Sequence, residues 1–213
     1  MAELKVNSDK IIRNITKINQ ILSKHNIQWS LVAKILAGNK EVLRKILTHP
    51  EIKNVHSVAD SRLTGLRAVK SINPEIVTMY AKPPAMDSIK SVVTYADISL
   101  NSSFKTIEAL NKEAGRQGKI HRVIIMIELG ELREGIIRDQ VLIFYKKVFD
   151  LKNITVEGIG ANLGCMYGIQ PTYDKLLQLS LYKQLIEAKF ETSFPLISGG
   201  SSITLPLVGK PSM

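Results

Sequence analysis

Apolar residues recur along this chain with two spacings that take turns, one helical and one extended. Ile11, Ile12, Ile15, Ile18, Ile21 and Leu22 fall at helical spacing, which predicts a first helix with one apolar face, capped at Ser8-Asp9 and ending near His25-Asn26. The next apolar run, residues 28–39, is short, aliphatic and closed by Gly38-Asn39, so it predicts a buried strand of a parallel sheet. Asn39 can cap a second helix carrying Val42, Leu43, Ile46 and Leu47, which Pro50 closes. The pattern then repeats. Strands are predicted over 55–59, 75–81, 97–100, 120–129, 155–160 and 194–197, and helices over 62–72, 85–94, 141–149 and 173–188. A further helix, capped by Ser102 or Ser103, runs through Ala114.

Strands and helices that alternate with short connections imply parallel βα units, whose right-handed crossovers leave either an open doubly wound sheet or a barrel. About seven strands, with no glycine-rich dinucleotide fingerprint after the first, favour the barrel. The expected fold is α/β, a TIM-like (β/α)8 barrel, incomplete at its C-terminus because residues 205–213 offer no eighth strand or closing helix. No linker, low-complexity stretch or longer repeat divides the chain, so residues 1–213 are expected to form one domain.

Composition narrows the partners. The 213 residues are 45% hydrophobic and 23% charged, enough apolar material for one large core. The formal charge of +10 raises nucleic acid as a partner, but the 29 Lys and Arg residues are scattered among the predicted helices. The excess reads as a solvated surface that attracts anionic ligands, and nucleic acid is not an expected partner. A lone Cys165 excludes an internal disulfide, fits a reducing compartment, and reads as a small buried side chain. No apolar run approaches the length of a membrane span and the first residues carry no apolar signal core, so a cytoplasmic protein with no membrane partner is expected. His25, His49, His56 and His121 are scattered, and no metal site is expected.

In a parallel barrel the chemistry sits at the C-terminal ends of the strands. Lys34 lies near such an end, inside an apolar run. A buried ammonium needs a partner or a lowered pKa, which is how lysines become bases or Schiff-base nucleophiles. The other reading is a lysine whose stem packs while its ammonium reaches the sheet rim. Arg62, in Asp60-Ser61-Arg62, is a cofactor-binding candidate at the next strand exit or an ordinary first-turn helix residue. Residues 128–135 read Glu-Leu-Gly-Glu-Leu-Arg-Glu-Gly, where Arg133 can hold a phenolate, carboxylate or phosphate, or pair on the surface with Glu131 or Glu134. Glu131 and Glu134 are also suggestive as receivers of a basic side chain. Four glycines in residues 158–168 let backbone approach a ligand or serve a long turn, and Asn162 adds a neutral polar contact. Ser198, Gly199, Gly200, Ser201 and Ser202 follow the last strand, as a phosphate nest or a flexible polar loop. A lysine, an arginine and a Gly-Ser loop agree with pyridoxal 5'-phosphate, in which a lysine bonds the aldehyde, donors near the ring tune its electron demand, and amides carry the phosphate.

Val32-Ala33-Lys34, residues 128–135, residues 158–165 and Ser198-Gly199-Gly200-Ser201-Ser202 together resemble the barrel domain of the alanine racemase superfamily, the fold type III pyridoxal phosphate enzymes. Within it the wording is most similar to the ornithine and lysine racemase branch, and the resemblance spans nearly the whole chain. It implies a pyridoxal-phosphate-dependent racemase of an amino acid, a basic one such as ornithine or lysine. It also implies an aldimine on Lys34, which acts as one base, with Arg133 near the cofactor's phenolic oxygen, Asn162 near the ring, and Ser198, Gly199, Gly200, Ser201 and Ser202 around the phosphate. The family's second acid is a tyrosine of a C-terminal β-domain, supplied by the partner subunit of a homodimer. That domain, and the arginine that members set against the pyridine nitrogen, are expected to be absent from residues 1–213. The superfamily also contains short single-barrel proteins that bind pyridoxal phosphate in cofactor homeostasis without strong activity, and these are the second expectation.

Overall fold

A computed structural model describes residues 5–210. The chain divides into two compact units, Met1–Ala81 and Lys82–Met213.

In the first unit, helix α1 (Ser8–Ser23) opens one residue earlier than expected, because the Asn7 side chain accepts the Lys10 amide at 3.0 Å. Strand β1 (Ser30–Val32) is far shorter than the apolar run around it. The Ala33 amide still donates to Ala59 O at 2.8 Å, but Lys34–Leu36 then form one 3-10 turn, ended by Ala37 and Gly38 in the left-handed region. Helix α2 (Lys40–Leu47) starts as predicted from Asn39, whose side chain accepts the Val42 amide at 3.1 Å. Strand β2 (Ser57–Asp60), helix α3 (Leu63–Ile72) and strand β3 (Thr78–Tyr80) complete the unit. Its strands are parallel in chain order, with Leu31 opposite Val58 and Ala59 opposite Met79. The core they cover joins Ile15, Leu43, Ile46, Val58 and Val69, with Trp29 and Leu31 packed against it.

The second unit contains α4 (Ile89–Tyr95), β4 (Ile98–Asn101), α5 (Phe104–Arg116), β5 (His121–Met126), α6 (Val141–Phe149), β6 (Ile154–Gly160), α7 (Tyr173–Phe190) and β7 (Leu196–Ser198). Ser103 caps α5. Its strands are again parallel and in chain order: β4 pairs β5, β5 pairs β6, and β6 pairs β7. Strand β5 is nearly all buried, as its apolar run requires. Two glycines let β6 lie close to its neighbours. A Cβ at Gly158 would fall 2.4 Å from Leu196 O, and one at Gly160 would fall 2.9 Å from Met126 Sδ. Tyr145 and Phe149 of α6 meet Phe194 ahead of β7 at ring centroid distances of 5.7 and 6.2 Å.

The class is therefore α/β with seven parallel strands, three in the first unit and four in the second. A complete eight-stranded barrel is not formed by the described residues, since β7 is followed by a 3-10 helix, Ser202–Leu207. No helix among the described residues is long and apolar enough to cross a membrane.

Candidate functional site

In the first unit the strand exits carry Lys34, Asp60 and Arg62. The expectation of a buried Lys34 is corrected here. Because β1 stops at Val32 and Ala33 takes the buried position, the 3-10 turn delivers Lys34 to an exposed place. Its ammonium makes no ion pair or hydrogen bond among the described residues. Its carbonyl, by contrast, is held: Arg62 Nη2 donates to Lys34 O. The Arg62 amide donates to the Oδ1 of buried Asp60 at 2.8 Å, and Arg62 Nε lies 3.7 Å from the same oxygen. Arg62 precedes α3 as its N-cap residue, and its half-exposed side chain braces the backbone of the lysine turn. The Asp60 carboxylate in turn lies against α3, where a Cβ at Gly65 would fall 2.2 Å from Oδ2. The result is a primary amine on a flexible stem, fixed at its root and open to a carbonyl compound.

In the second unit, residues 128–135 leave β5 and return to it. Ile127 bridges Ile136, the Ile136 amide donates to Met126 O at 2.8 Å, and a Cβ at Gly135 would fall 2.4 Å from the Glu128 amide nitrogen. Glu128 Oε1 accepts the amides of Gly130 at 2.6 Å and Leu132 at 3.0 Å, closing the loop from inside. Arg133 pairs through Nε with Glu134 Oε2 at 2.8 Å, and its Nη1 donates to Cys165 Sγ at 2.8 Å. Asn162 Nδ2 donates to Glu134 Oε1 at 2.7 Å. Arg133, Asn162, Glu134 and Cys165 thus form one connected group, and the pairing of Arg133 with Glu134 is part of it. Cys165 is exposed, contrary to the expectation of a buried thiol, because Gly164 (φ +65°) turns the chain outward after buried Leu163.

Glu131 departs furthest from its expected role. It is 1% exposed. Its carboxylate accepts the amides of Tyr167 at 2.7 Å, Cys165 at 3.1 Å and Ile169 at 3.2 Å. Burial works against its charged form, but the amides of Tyr167, Cys165, Ile169 and Met166 outweigh burial and hold the carboxyl below the usual range. The Glu131 carboxylate is thus taken up by backbone amides, and that of Glu134 by Arg133 and Asn162.

The loop after β7 is bare. The amides of Gly199 and Gly200 make no hydrogen bond among the described residues, and Ser201 faces inward to its own 3-10 helix, donating its amide to Thr204 Oγ1 at 3.1 Å. Ser202 opens that helix, and the Ser198 carbonyl accepts the Ala161 amide at 3.0 Å. Sequence reasoning passed over Asn101, the last residue of β4, which is wholly buried with Oδ1 unpartnered among the described residues. The signal available was an Asn closing an apolar strand. Among the described residues no group of three His, Cys, Asp or Glu could hold a metal ion.

Comparison with known proteins places these residues in a family. The model of the alanine racemase N-terminal domain matches residues 6–209. The chain is 32% identical over 209 residues to an ornithine racemase from Acetoanaerobium sticklandii, covering 98% of this chain and 58% of that protein. It is 27% identical over 208 residues to a lysine racemase from Thermotoga maritima, covering 95% and 55%. The chain therefore spans somewhat more than half the length of the curated relatives it matches. Among solved structures, an alanine racemase from Clostridium difficile 630 shares the fold with a TM-score of 0.73 at 16% identity, over 91% of this chain and 51% of that one. PipY from Synechococcus elongatus, solved with pyridoxal phosphate bound, shares it with a TM-score of 0.70 at 13% identity, over 90% and 92%. The chain belongs to the alanine racemase N-terminal domain family.

Proposed function

We propose that this chain is the cofactor-binding part of a pyridoxal 5'-phosphate-dependent racemase that acts on a basic amino acid, ornithine or lysine. The observation that carries the reading is Lys34, an exposed amine without a partner, braced at its carbonyl, in a chain 32% identical to an ornithine racemase. The donor set suits the group. The bare amides of Gly199 and Gly200, with the nearby Ser198 and Ser202 hydroxyls, match a phosphate. Arg133, held at Nε and Nη1, would offer Nη2 to the phenolic oxygen, and Asn162, whose Nδ2 is taken by Glu134, would offer its side-chain oxygen.

When bound, the cofactor supplies the electron sink that acidifies the substrate's Cα–H bond. Lys34 would hold the cofactor through its amine, and Lys34 Nζ would take or return the Cα proton on one face of the substrate. Arg62 fixes the turn from which that amine acts. A cytoplasmic homodimer of the full-length protein completes the reading. Chiral analysis of L-ornithine and L-lysine incubated with the pyridoxal phosphate-loaded protein tests it, and appearance of the D-isomers is the expected result.

A second reading is a cofactor-binding protein of vitamin homeostasis. It is favoured by the PipY likeness, which extends over 92% of that chain. Stable cofactor binding with neither amino acid racemised would select it.

A further inference from the structure

We propose that Glu131 is a positioning residue that sets Arg133 for its ligand by pinning the loop 165–169. The proposal deepens the cofactor reading above and rests on it. Glu131 sits between Gly130 (φ +113°) and Leu132 (φ +51°), and this pair of left-handed residues turns its side chain inward while the neighbouring Leu132 remains exposed. Nothing about the fold of β5 requires a carboxylate there, since Glu128 already closes the 128–135 loop on itself.

What the Glu131 carboxylate does is hold a second loop. Oε1 accepts the amides of Cys165 and Tyr167, and Oε2 accepts that of Ile169, so three alternate residues of 165–169 are gathered on one anion. The loop's glycine hinges, Gly164 (φ +65°) and Gly168 (φ +72°), give it no stiffness of its own. The Cys165 amide held in this way anchors the backbone from which Sγ reaches Arg133, and Sγ accepts Arg133 Nη1 at 2.8 Å. With Glu134 on Nε, the guanidinium plane is held at two nitrogens, and Nη2 is the donor left to a ligand oxygen. Glu131 thus acts on the ligand through Cys165 and Arg133 without touching it. Its low pKa keeps the anion in place throughout the neutral range.

The test compares Glu131→Gln, Arg133→Ala and the double variant with the unmodified protein, by amide hydrogen exchange and by titration with pyridoxal phosphate. Gln keeps one side-chain oxygen and sets an NH2 against the remaining N–H, so the fold survives while the clamp weakens. Glu131→Gln is expected to speed exchange at Cys165, Tyr167 and Ile169 about tenfold and to weaken cofactor binding about tenfold. In the Arg133→Ala background the same change should add nothing to the loss of affinity, because the path through Arg133 is already cut. Unchanged exchange overturns the clamp. Faster exchange with unchanged affinity, or losses that add in the double variant, assigns Glu131 to the loop's structure alone and overturns the positioning role. Failure of the unmodified protein to bind pyridoxal phosphate overturns the cofactor reading instead, and is seen before any variant is compared.

Discussion

His121 illustrates what one buried polar residue does here. It opens β5, and its Nε2 lies 2.8 Å from the Ser99 hydroxyl. Burial dominates its titration, with Arg122 and Lys119 adding to it and Asp97 opposing, and its pKa falls from 6.5 to about 4. The unfolded chain therefore binds the extra proton first as pH drops. The neutral histidine's contribution to stability is complete above pH 6.5 and is lost as pH falls toward 4. A shift of this size corresponds to roughly 3 kcal/mol. Urea melts at pH 7 and pH 4.5 should differ by an amount that shrinks in His121→Gln; an equal difference in both proteins would remove His121 as the cause. Gly65→Ala is the matching steric test. Its Cβ would meet Asp60 Oδ2 at 2.2 Å, so a loss of about 1–3 kcal/mol is expected in a denaturant melt. Lys34 was legible as the odd residue in an apolar run. Its exposure was not, because a run of apolar residues does not reveal where a strand gives way to a turn. Glu131 was legible only as a charge, since the two left-handed residues that turn it inward leave no periodic trace.

Helices were easier to read than strands. Asn39 and Ser103 cap α2 and α5 with side-chain hydrogen bonds to their first turns, and α6 occupies Val141–Phe149 as its spacing predicts. Local chemistry sets these limits. Strand limits depend on neighbours, and β1 is cut to Ser30–Val32 by the turn that presents Lys34. Strand β6 depends on its glycines in the same way. Gly158→Ala would drive a Cβ to 2.4 Å from Leu196 O, so circular dichroism and melting should report a loss of about 1–3 kcal/mol. Helix α7 buries Leu179 and Ile186 but leaves Leu177, Leu181 and Leu185 at 58%, 52% and 48% exposure. Leu181→Gln should then change stability by less than about 0.5 kcal/mol, whereas Leu179→Ala should cost about 2–5 kcal/mol. Comparable losses from both would contradict the assignment of faces.

At the scale of the molecule, the parallel α/β architecture followed from the alternation of two spacings, and the family from four short motifs far apart in the sequence. The residue on which the proposed function turns is Lys34, the amine proposed to attach pyridoxal phosphate. The direct measurement is an absorbance spectrum of the protein with added pyridoxal phosphate, beside Lys34→Ala, followed by borohydride reduction and peptide mass analysis. The account predicts a visible band that borohydride abolishes, with the reduced cofactor's mass on the peptide containing Lys34, and neither in the variant. The same band and an equally labelled peptide elsewhere in both proteins would contradict it.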